Sequence, residues 1–269
     1  MGQSVTYTAT VTAPAGVPTG NVTFSYSGNP LATIRLNSGQ ASYIRTLLAT
    51  GTRSVSATYS GDANNQTSTS PTLSEVVKAQ PTETSMVSSL NPAAVDQPVA
   101  FTAGVTGQYG APVTGAVLFK LNGNPMETVP LSNGQAVFSS SLSTAGAQSI
   151  SAAYSGDGNN QASTSAALSQ TVSPQNSQIT LTSSASSSSV NQAVTFSAVV
   201  AGQYGSTPTG SVAFTVSGNK PITVALVGGQ ASFTWTFLYV GTRTVTASYL
   251  GDANDLASVS TALNQTINP

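Results

Sequence analysis

The sequence predicts an all-β protein made of three tandem domains, each a sandwich of two β-sheets. Two observations support this fold class: a repeat with a fixed period of 95 residues, and apolar/polar alternation with the two-residue period of β-strands. In addition, no stretch shows the sustained 3.6-residue apolar period of an amphipathic helix. A period of 95 residues is too long for a solenoid repeat and suits a sandwich domain of about 100 residues.

Three short motifs recur in the same register. The Tyr-x-Gly-Asp motif begins at Tyr59, Tyr154 and Tyr249, and the Gly-Gln-Ala turn begins at Gly39, Gly134 and Gly229. A third glycine repeats with the same spacing at Gly20, Gly115 and Gly210. Independent markers in fixed register predict three copies of one domain. We place these domains at residues 1–79, 80–174 and 175–269.

Each repeat contains a succession of short alternating strands. The clearest strand carries Val5, Tyr7, Ala9 and Val11 in repeat one, Val99, Phe101, Ala103 and Val105 in repeat two, and Val194, Phe196, Ala198 and Val200 in repeat three. Clusters of Gly, Pro, Asn and Ser separate these runs at regular intervals. About seven such strands per repeat favour two packed sheets, with alternate residues facing the core.

The order of the motifs resembles a known family. Pro-Thr-Gly-x-Val-x-Phe, then Gly-Gln-Ala, then Tyr-Ser-Gly-Asp-x-Asn-Asn is similar to the bacterial Ig-like domain repeats (Big family) of large surface and secreted proteins. Residues 208–214 are the fullest copy of the first motif. The resemblance covers nearly the whole chain and implies immunoglobulin-like β-sandwich domains. Repeat three departs from the pattern at Leu250 and Asp255, which changes its turn contacts.

The composition excludes several classes of function. Only 6% of residues are charged, against about 25% in ordinary soluble domains, and the net charge is −1. We therefore expect no nucleic-acid partner, because such proteins carry basic patches that contact phosphates. No run approaches 18 consecutive apolar residues, so we expect no membrane span in this chain. Without cysteine, the domains depend on packing rather than on disulfides.

The same composition predicts that the chain is not an enzyme. It has no histidine and no cysteine, which excludes the usual nucleophilic triads and metal sites built from those residues. The eight carboxylates are spread over three repeats, and only Asp252 and Asp255 are close in sequence, where they share a turn. We expect no catalytic residues, no cofactor and no metal site.

The predicted linkers are short and contain proline. They lie near Lys78-Ala79-Gln80-Pro81 and Ser173-Pro174-Gln175-Asn176. Such linkers predict semi-rigid joints. Three domains in line would then form an extended rod, on the order of 120 Å long if strands of about eight residues rise roughly 3.3 Å per residue.

The first repeat lacks a segment that the others have. Gln3 aligns with Gln97, so residues 81–95, which should form the first strand of domain two, have no counterpart in domain one. Domain one should therefore have an open sheet edge. Two explanations stay open: the sequence is a fragment cut inside a longer array, or another chain supplies the strand by β-strand addition.

The Gly-Asp-x-Asn-Asn turn is the most noticeable polar motif. Its carboxylate and amide oxygens are candidate Ca²⁺ ligands, but each turn offers one carboxylate, or two in domain three, where Ca²⁺ usually takes several. We favour a turn in which Asp and Asn bond their own backbone. The preceding Tyr59, Tyr154 and Tyr249 are expected to pack in the core and bond a neighbouring loop, rather than to bind a ligand.

Three further aromatic residues are candidates for binding. Tyr109 and Tyr204 lie in Gln-Tyr-Gly loops at the end where the chain enters each domain, so they should face the joint with the preceding domain. Trp235 shares a strand face with Phe233 and should lie at the margin of the core. Glycan stacking is the alternative for all three.

These observations predict an extracellular, cell-surface module with a structural or adhesive role. The leading hypothesis is a tandem stalk or spacer whose partners are other domains of the same surface protein. One alternative is a self-assembling, pilus-like filament in which the open sheet edge of domain one takes a strand from a neighbouring subunit. The other is a glycan-binding adhesin.

Overall fold

The computed structural model describes every residue from Met1 to Pro269. The chain forms 25 strands and no helix, which confirms the predicted all-β class. It therefore has no helix of the length and apolarity needed to cross a membrane.

Domain one consists of two sheets that face each other. Its strands are β1 (Ser4–Thr10), β2 (Asn21–Tyr26), β3 (Asn29–Arg35), β4 (Gln40–Thr46), β5 (Gly51–Tyr59), β6 (Ser68–Thr69) and β7 (Leu73–Val77). One sheet contains only β1 and β4. The other has the order β3-β2-β5, and both β6 and β7 pair with β5.

Domain two has the same plan with two additional strands. Its strands are β8 (Thr82–Ser88), β9 (Ala93–Ala94), β10 (Val99–Gly107), β11 (Ala116–Leu121), β12 (Asn124–Pro130), β13 (Gln135–Ser140), β14 (Gly146–Tyr154), β15 (Ser163–Thr164) and β16 (Leu168–Ser173). The first sheet has the order β13-β10-β8, and the second has the order β12-β11-β14-β16-β9 with β15 beside β14. The strands β8 and β9 have no equivalent in domain one.

Domain three repeats the plan of domain two. Its strands are β17 (Ser177–Ser183), β18 (Ser187–Ser189), β19 (Ala193–Gly202), β20 (Ser211–Val216), β21 (Ile222–Ala225), β22 (Gln230–Thr236), β23 (Gly241–Tyr249), β24 (Ser258–Val259) and β25 (Leu263–Asn268). The sheets have the orders β22-β19-β17 and β18-β25-β23-β20-β21. Neighbouring strands are antiparallel except β18 and β25, which are parallel.

The core of domain three contains the residues that the alternation pattern assigned to it. Val194, Phe196 and Ala198 on β19 are fully buried, as are Val212 and Phe214 on the opposite sheet. Burial of each large apolar side chain stabilises the fold by about 1.5–3 kcal/mol. The predicted inward face of this strand is therefore confirmed.

Contacts group the chain into two compact units. One unit contains Met1–Met86, Thr102–Val137 and Ser151–Ala167, and the other contains Val87–Phe101, Phe138–Ile150 and Leu168–Pro269. The division passes through domain two. The first linker and the domain-two loops around it lie in the first unit, while the second linker lies in the second.

The recurrent Gly-Gln-Ala motif forms a tight turn, as its sequence predicts. In domain two, Asn133 and Gly134 both have positive φ angles, 50° and 77°, and the turn connects Ser132 to Gln135. A side chain at Gly134 would place its Cβ 3.1 Å from the carbonyl oxygen of Val105. Glycine is required there both for its left-handed conformation and for the close approach of β10.

Candidate functional site

In each domain, the aspartate of the Gly-Asp-x-Asn turn bonds a threonine 43 residues earlier in the chain. Asp157 Oδ2 accepts hydrogen bonds from the Thr114 backbone N–H at 2.9 Å and the Thr114 hydroxyl at 2.7 Å. Its Oδ1 accepts bonds from the backbone N–H groups of Asn159 and Asn160, both at 2.8 Å. The interpretation of this motif as a self-bonded turn is confirmed.

Sequence reasoning did not find the threonine partner. Thr19, Thr114 and Thr209 each precede the repeated glycine of the first motif. The constant separation of 43 residues between this threonine and the turn aspartate was the available signal. The two motifs therefore recur together because the threonine of the first donates hydrogen bonds to the aspartate of the second.

The hydrogen bonds lower the pKa of each turn aspartate. Backbone N–H groups of Thr19 and Asn64 hold the pKa of Asp62 well below its ordinary value. Partial burial opposes ionisation of Asp252, but the hydroxyl and backbone N–H of Thr209 outweigh it and lower the pKa of Asp252 to about 2. These carboxylates are therefore charged at neutral pH and serve as hydrogen-bond acceptors for the protein itself.

The tyrosines before these turns are core residues, and in domains one and two the ring hydroxyl donates a hydrogen bond. Tyr59 is 3% exposed and its hydroxyl donates to the carbonyl oxygen of Thr19 at 2.6 Å. Tyr154 is 2% exposed and donates to the carbonyl of Thr114 at 2.7 Å. Tyr249 is equally buried at the equivalent position, but its hydroxyl has no hydrogen-bond partner. The predicted core packing is confirmed for all three tyrosines, and the predicted bond to a neighbouring loop is confirmed for Tyr59 and Tyr154 only.

The same turn also joins domain two to domain one. Asn159 Oδ1 accepts a hydrogen bond from the backbone N–H of Thr50 at 3.3 Å, and the Thr50 hydroxyl donates to the carbonyl of Gly158 at 2.9 Å. Close beside them, Tyr109 packs against Gly2: a Cβ added to Gly2 would lie 2.6 Å from the Tyr109 Cβ. The prediction that Tyr109 faces the joint with domain one is confirmed.

The joint between domains two and three uses the equivalent asparagine. Asn254 Oδ1 accepts a hydrogen bond from the backbone N–H of Ala145 at 3.0 Å, and Asn254 Nδ2 donates to the carbonyl of Ser143 at 3.3 Å. Ala145 is the equivalent of Thr50, 95 residues later. The chain therefore builds the same joint twice. The hydrogen bonds of Tyr204 connect it to Gln175 and Gln203, so its packing at this joint stays a prediction.

A glutamine anchors each linker inside the domain that follows it. Gln80 is fully buried; its Nε2 donates to Asn160 Oδ1 at 2.6 Å and its Oε1 accepts from the Tyr109 backbone N–H at 2.9 Å. Gln175 is also buried, and its Oε1 accepts from the Tyr204 backbone N–H at 2.7 Å. Sequence reasoning placed both residues in linkers and missed this role. Their common 95-residue spacing was the only signal.

Domain three departs from the pattern at Asp255, as the sequence indicated. The equivalents Asn65 and Asn160 donate an amide N–H to the turn aspartate. Asp255 has no such donor, and the Nε2 of Gln175 beside it is buried without a hydrogen-bond partner. Burial raises the pKa of Asp255, and the charge of Asp252 adds to this shift.

Domain one has an open groove where the other domains have their first strand. The groove has a volume of about 760 Å³ and is lined by β1 on one sheet and by β5, β6 and β7 on the other. Val5, Ala9 and Val11 are half-buried in it, although their equivalents in domains two and three are all buried. Leu73 is 59% exposed. Within residues 1–269, β1 pairs only with β4.

The floor of this groove differs chemically from the other two domains. Tyr7 occupies the position of Phe101 and Phe196, and its hydroxyl donates a hydrogen bond to the carboxylate of Glu75. Glu75 occupies the position of Gln170 and Gln265. Burial raises the pKa of Tyr7, and the hydrogen bond to Glu75 adds to this effect. Sequence reasoning found the missing strand but not this pair.

Trp235 lies at the margin of the core, as predicted. It packs against the buried cluster of domain three, with its ring centroid 6.3 Å from that of Phe233 in an edge arrangement. Glycan binding by this residue stays a prediction.

The family model for the bacterial Ig-like domain (group 3) matches the chain three times, at residues 1–78, 86–173 and 181–268. The chain belongs to this family. The resemblance inferred from the motifs is thereby confirmed. The match begins just before β1 in domain one and within β8 and β17 in domains two and three, and in each domain it extends to the last strand. A comparison with curated protein sequences found no match.

Solved structures with similar folds include bacterial adhesins and an integrin-binding protein. The bacterial integrin-binding protein invasin is 16% identical, with 99% of this chain and 57% of that chain covered and a TM-score of 0.46. The Escherichia coli adhesin FdeC is 14% identical, with 100% and 93% covered and a TM-score of 0.31. The Yersinia pseudotuberculosis adhesin InvE is 16% identical, with 69% and 59% covered and a TM-score of 0.36. At these identities the likeness concerns the fold and carries no information on function.

Proposed function

We propose that the chain is a spacer of a bacterial cell-surface protein, an array of Ig-like domains that holds another part of that protein away from the cell. The observation that carries the proposal is the repeated joint. Asn159 and Asn254 each bond the preceding domain through the same turn that stabilises their own domain. A spacer needs joints that keep their angle, and two buried linker glutamines restrict rotation further.

The composition supports the same role. Only 6% of the residues in the chain are charged, so proteases that cleave after lysine or arginine find few sites. The chain also has no histidine or cysteine, the residues on which the common nucleophilic triads depend. We accordingly propose an extracellular location and no catalytic activity. Immunolabelling of intact cells that carry the full-length protein tests the location, and labelling only after permeabilisation would contradict it.

A self-assembling filament, the first alternative, requires a strand that one chain can donate to the next. Every strand of these 269 residues pairs within its own domain. No strand within residues 1–269 is therefore free for donation unless one of the domains opens. Trp235 is packed against the core, so no observation favours the glycan-binding alternative either. The spacer is the function that the contacts support best.

Small-angle X-ray scattering of joint variants tests the proposal. Asn159→Ala and Asn254→Ala together remove the asparagine side-chain bonds of both joints, so we expect a broader distribution of shapes than in the wild type. Asn64→Ala is the matched control, because Asn64 is the equivalent exposed residue of domain one. Identical scattering from all three proteins would contradict a role for these joints in holding the array.

A further inference from the structure

The Gly-Asp-x-Asn turn of domain three contains a buried carboxyl group that the other two domains lack. Asp255 takes the position of Asn65 and Asn160, and it is 2% exposed. The backbone N–H of Asp252 donates to the carbonyl oxygen of Asp255 at 2.9 Å. The equivalent bond in domain two, from Asp157 to Asn160, has the same length. The turn backbone is therefore preserved, and the carboxyl of Asp255 lies where the other turns place an amide.

The amide at this position in domain two is a hydrogen-bond donor and an acceptor at the same time. Asn160 Nδ2 donates to both carboxylate oxygens of Asp157 at 2.9 Å, and Asn160 Oδ1 accepts from Gln80 Nε2 at 2.6 Å. An ionised carboxylate can only accept hydrogen bonds, whereas a protonated carboxyl has one O–H donor and keeps acceptor capacity. Asp255 can therefore replace the amide of Asn160 in one ionisation state only, the protonated one.

The surroundings of Asp255 disfavour its charged form. The titratable groups that interact with it are all acids: Asp252 in the same turn, Asp96 of domain two and Tyr249 on β23. Burial is the main cause that raises the pKa of Asp255, and the charges of Asp252 and Asp96 add to it. The hydroxyl of Ser206, which donates to Asp255 Oδ1 at 2.8 Å, opposes this rise. A second negative charge beside Asp252 is therefore unfavourable in the folded chain.

Asp252 is the member of this pair that stays ionised. Its Oδ2 accepts hydrogen bonds from the backbone N–H and the hydroxyl of Thr209 at 2.8 and 2.6 Å. Its Oδ1 accepts from the backbone N–H groups of Asn254 and Asp255, both at 2.8 Å. Partial burial opposes ionisation, but these four bonds outweigh it and lower the pKa of Asp252 to about 2. A proton taken up by the pair therefore resides on Asp255.

The same turn holds domain three to domain two. Asn254 lies between the two acids in the sequence, and its side chain accepts from the backbone N–H of Ala145 at 3.0 Å and donates to the carbonyl of Ser143 at 3.3 Å. The backbone N–H of Asn254 bonds Asp252 Oδ1. The position of the Asn254 side chain therefore depends on how firmly the carboxylate of Asp252 closes the turn.

We propose that Asp252 and Asp255 share one proton in mildly acidic solution, and that this proton tightens the joint between domains two and three. The proton comes from the solvent and sits on Asp255, whose O–H donates to the carboxylate of Asp252. The pair thereby changes from two negative charges to one, and the new bond replaces the one that Asn160 makes in domain two. The change occurs as the pH falls through the raised pKa of Asp255. Asn160 does not titrate, so the joint between domains one and two is unaffected.

Amide hydrogen exchange of the full chain, followed by NMR, tests the proposal. The N–H of Ala145 reports on the joint between domains two and three, and the N–H of Thr50, which bonds Asn159, is the internal control in the preceding joint. From neutral pH to about pH 4.5, just above the ordinary carboxyl range, we expect the protection of Ala145 to rise about fivefold after correction for intrinsic exchange, while that of Thr50 stays constant. The carboxyl carbon of Asp255 should titrate over the same range. An equal response of both amides, or no titration of Asp255 in this range, would overturn the proposal.

Two reciprocal variants separate the shared proton from a general effect of acid. Asp255→Asn supplies the donor at every pH, so Ala145 should be as protected at neutral pH as it is in the acidified wild type, and it should no longer respond to pH. Asn160→Asp places the same pair in domain two and should transfer the pH response to Thr50. If Asn160→Asp does not fold, Asp255→Asn still decides, because a persistent response of Ala145 in that variant would refute the shared proton.

A calcium titration distinguishes the proton from a cation that bridges the two carboxyl groups. The probe is millimolar CaCl2 added to the wild-type chain at neutral pH. We expect the protection of Ala145 to be unchanged, because the pair offers only two carboxylates and Ca²⁺ takes six to eight oxygens. A rise equal to the one produced by acid would show that a bridging cation tightens the joint, and the proposal would be wrong.

Discussion

At the scale of single residues, a few polar side chains do several things at once. Asp157 closes its own turn and bonds Thr114, while the adjacent Asn159 reaches the preceding domain. Gln80 connects the linker to both loops that surround it. In a chain with so few charges, buried hydrogen bonds of this kind replace ion pairs as the source of specific geometry.

The turn aspartates predict how stability depends on pH. The pKa of Asp157 in the folded chain is far below its ordinary value near 4. A lowered carboxylate pKa contributes stability that is present above the unfolded pKa and lost as the pH falls below it. We expect thermal midpoints to be nearly constant between pH 5 and 8 and to fall below about pH 4. Calorimetry of Asp157→Asn should show a shallower fall, and an unchanged slope would contradict this assignment.

Asp255 should affect the pH dependence of folding stability in the opposite direction to the turn aspartates. Because its pKa is raised in the folded chain, it opposes folding at neutral pH, and this opposition disappears as the pH falls. Asp255→Asn restores the amide donor that Asn160 provides in domain two. We expect domain three to gain about 1 kcal/mol at pH 7, read from its thermal transition. The reverse change, Asn160→Asp, should destabilise domain two; equal midpoints for both variants and the wild type would disprove the account.

At the scale of elements, equivalent strands of the three domains have different numbers of neighbouring strands. β10 and β19 each have a partner on both sides, whereas β1 pairs only with β4. The alternation of Val5, Tyr7 and Ala9 predicted the inward face of β1 correctly, because alternation depends only on the local backbone. It gave no information on how deeply these residues would be buried, because burial depends on a neighbouring strand, such as β8 beside β10 and β17 beside β19.

Hydrogen exchange should reveal this difference between elements. The outer backbone groups of β1 face the groove, while those of β19 bond β17. We expect amides of residues 5–13 to exchange at least about tenfold faster than those of residues 194–202, measured by mass spectrometry at neutral pH. Comparable protection of both segments would show that the groove is closed in solution.

At the scale of the whole molecule, the chain is a series of domains joined by contacts that repeat with the sequence. Each joint combines a buried linker glutamine with an asparagine that bonds the preceding domain. The extended rod stays a prediction. Light scattering with small-angle X-ray scattering should show the mass of one chain at every concentration and a maximum dimension on the order of 120 Å. Long particles that grow with concentration would favour a filament instead.

The sequence by itself determined the fold class, the family and the number of repeats. These depend on period, alternation and turn chemistry, which are local properties that recur visibly in the chain. Tertiary structure alone decided which distant residues meet: Thr114 with Asp157, Gln80 with Asn160, Tyr7 with Glu75. Such pairs form because sheet packing brings separate segments together. The repeat shows that Thr114, Asp157 and Gln80 recur at fixed spacings, but spacing alone does not show which of them are in contact.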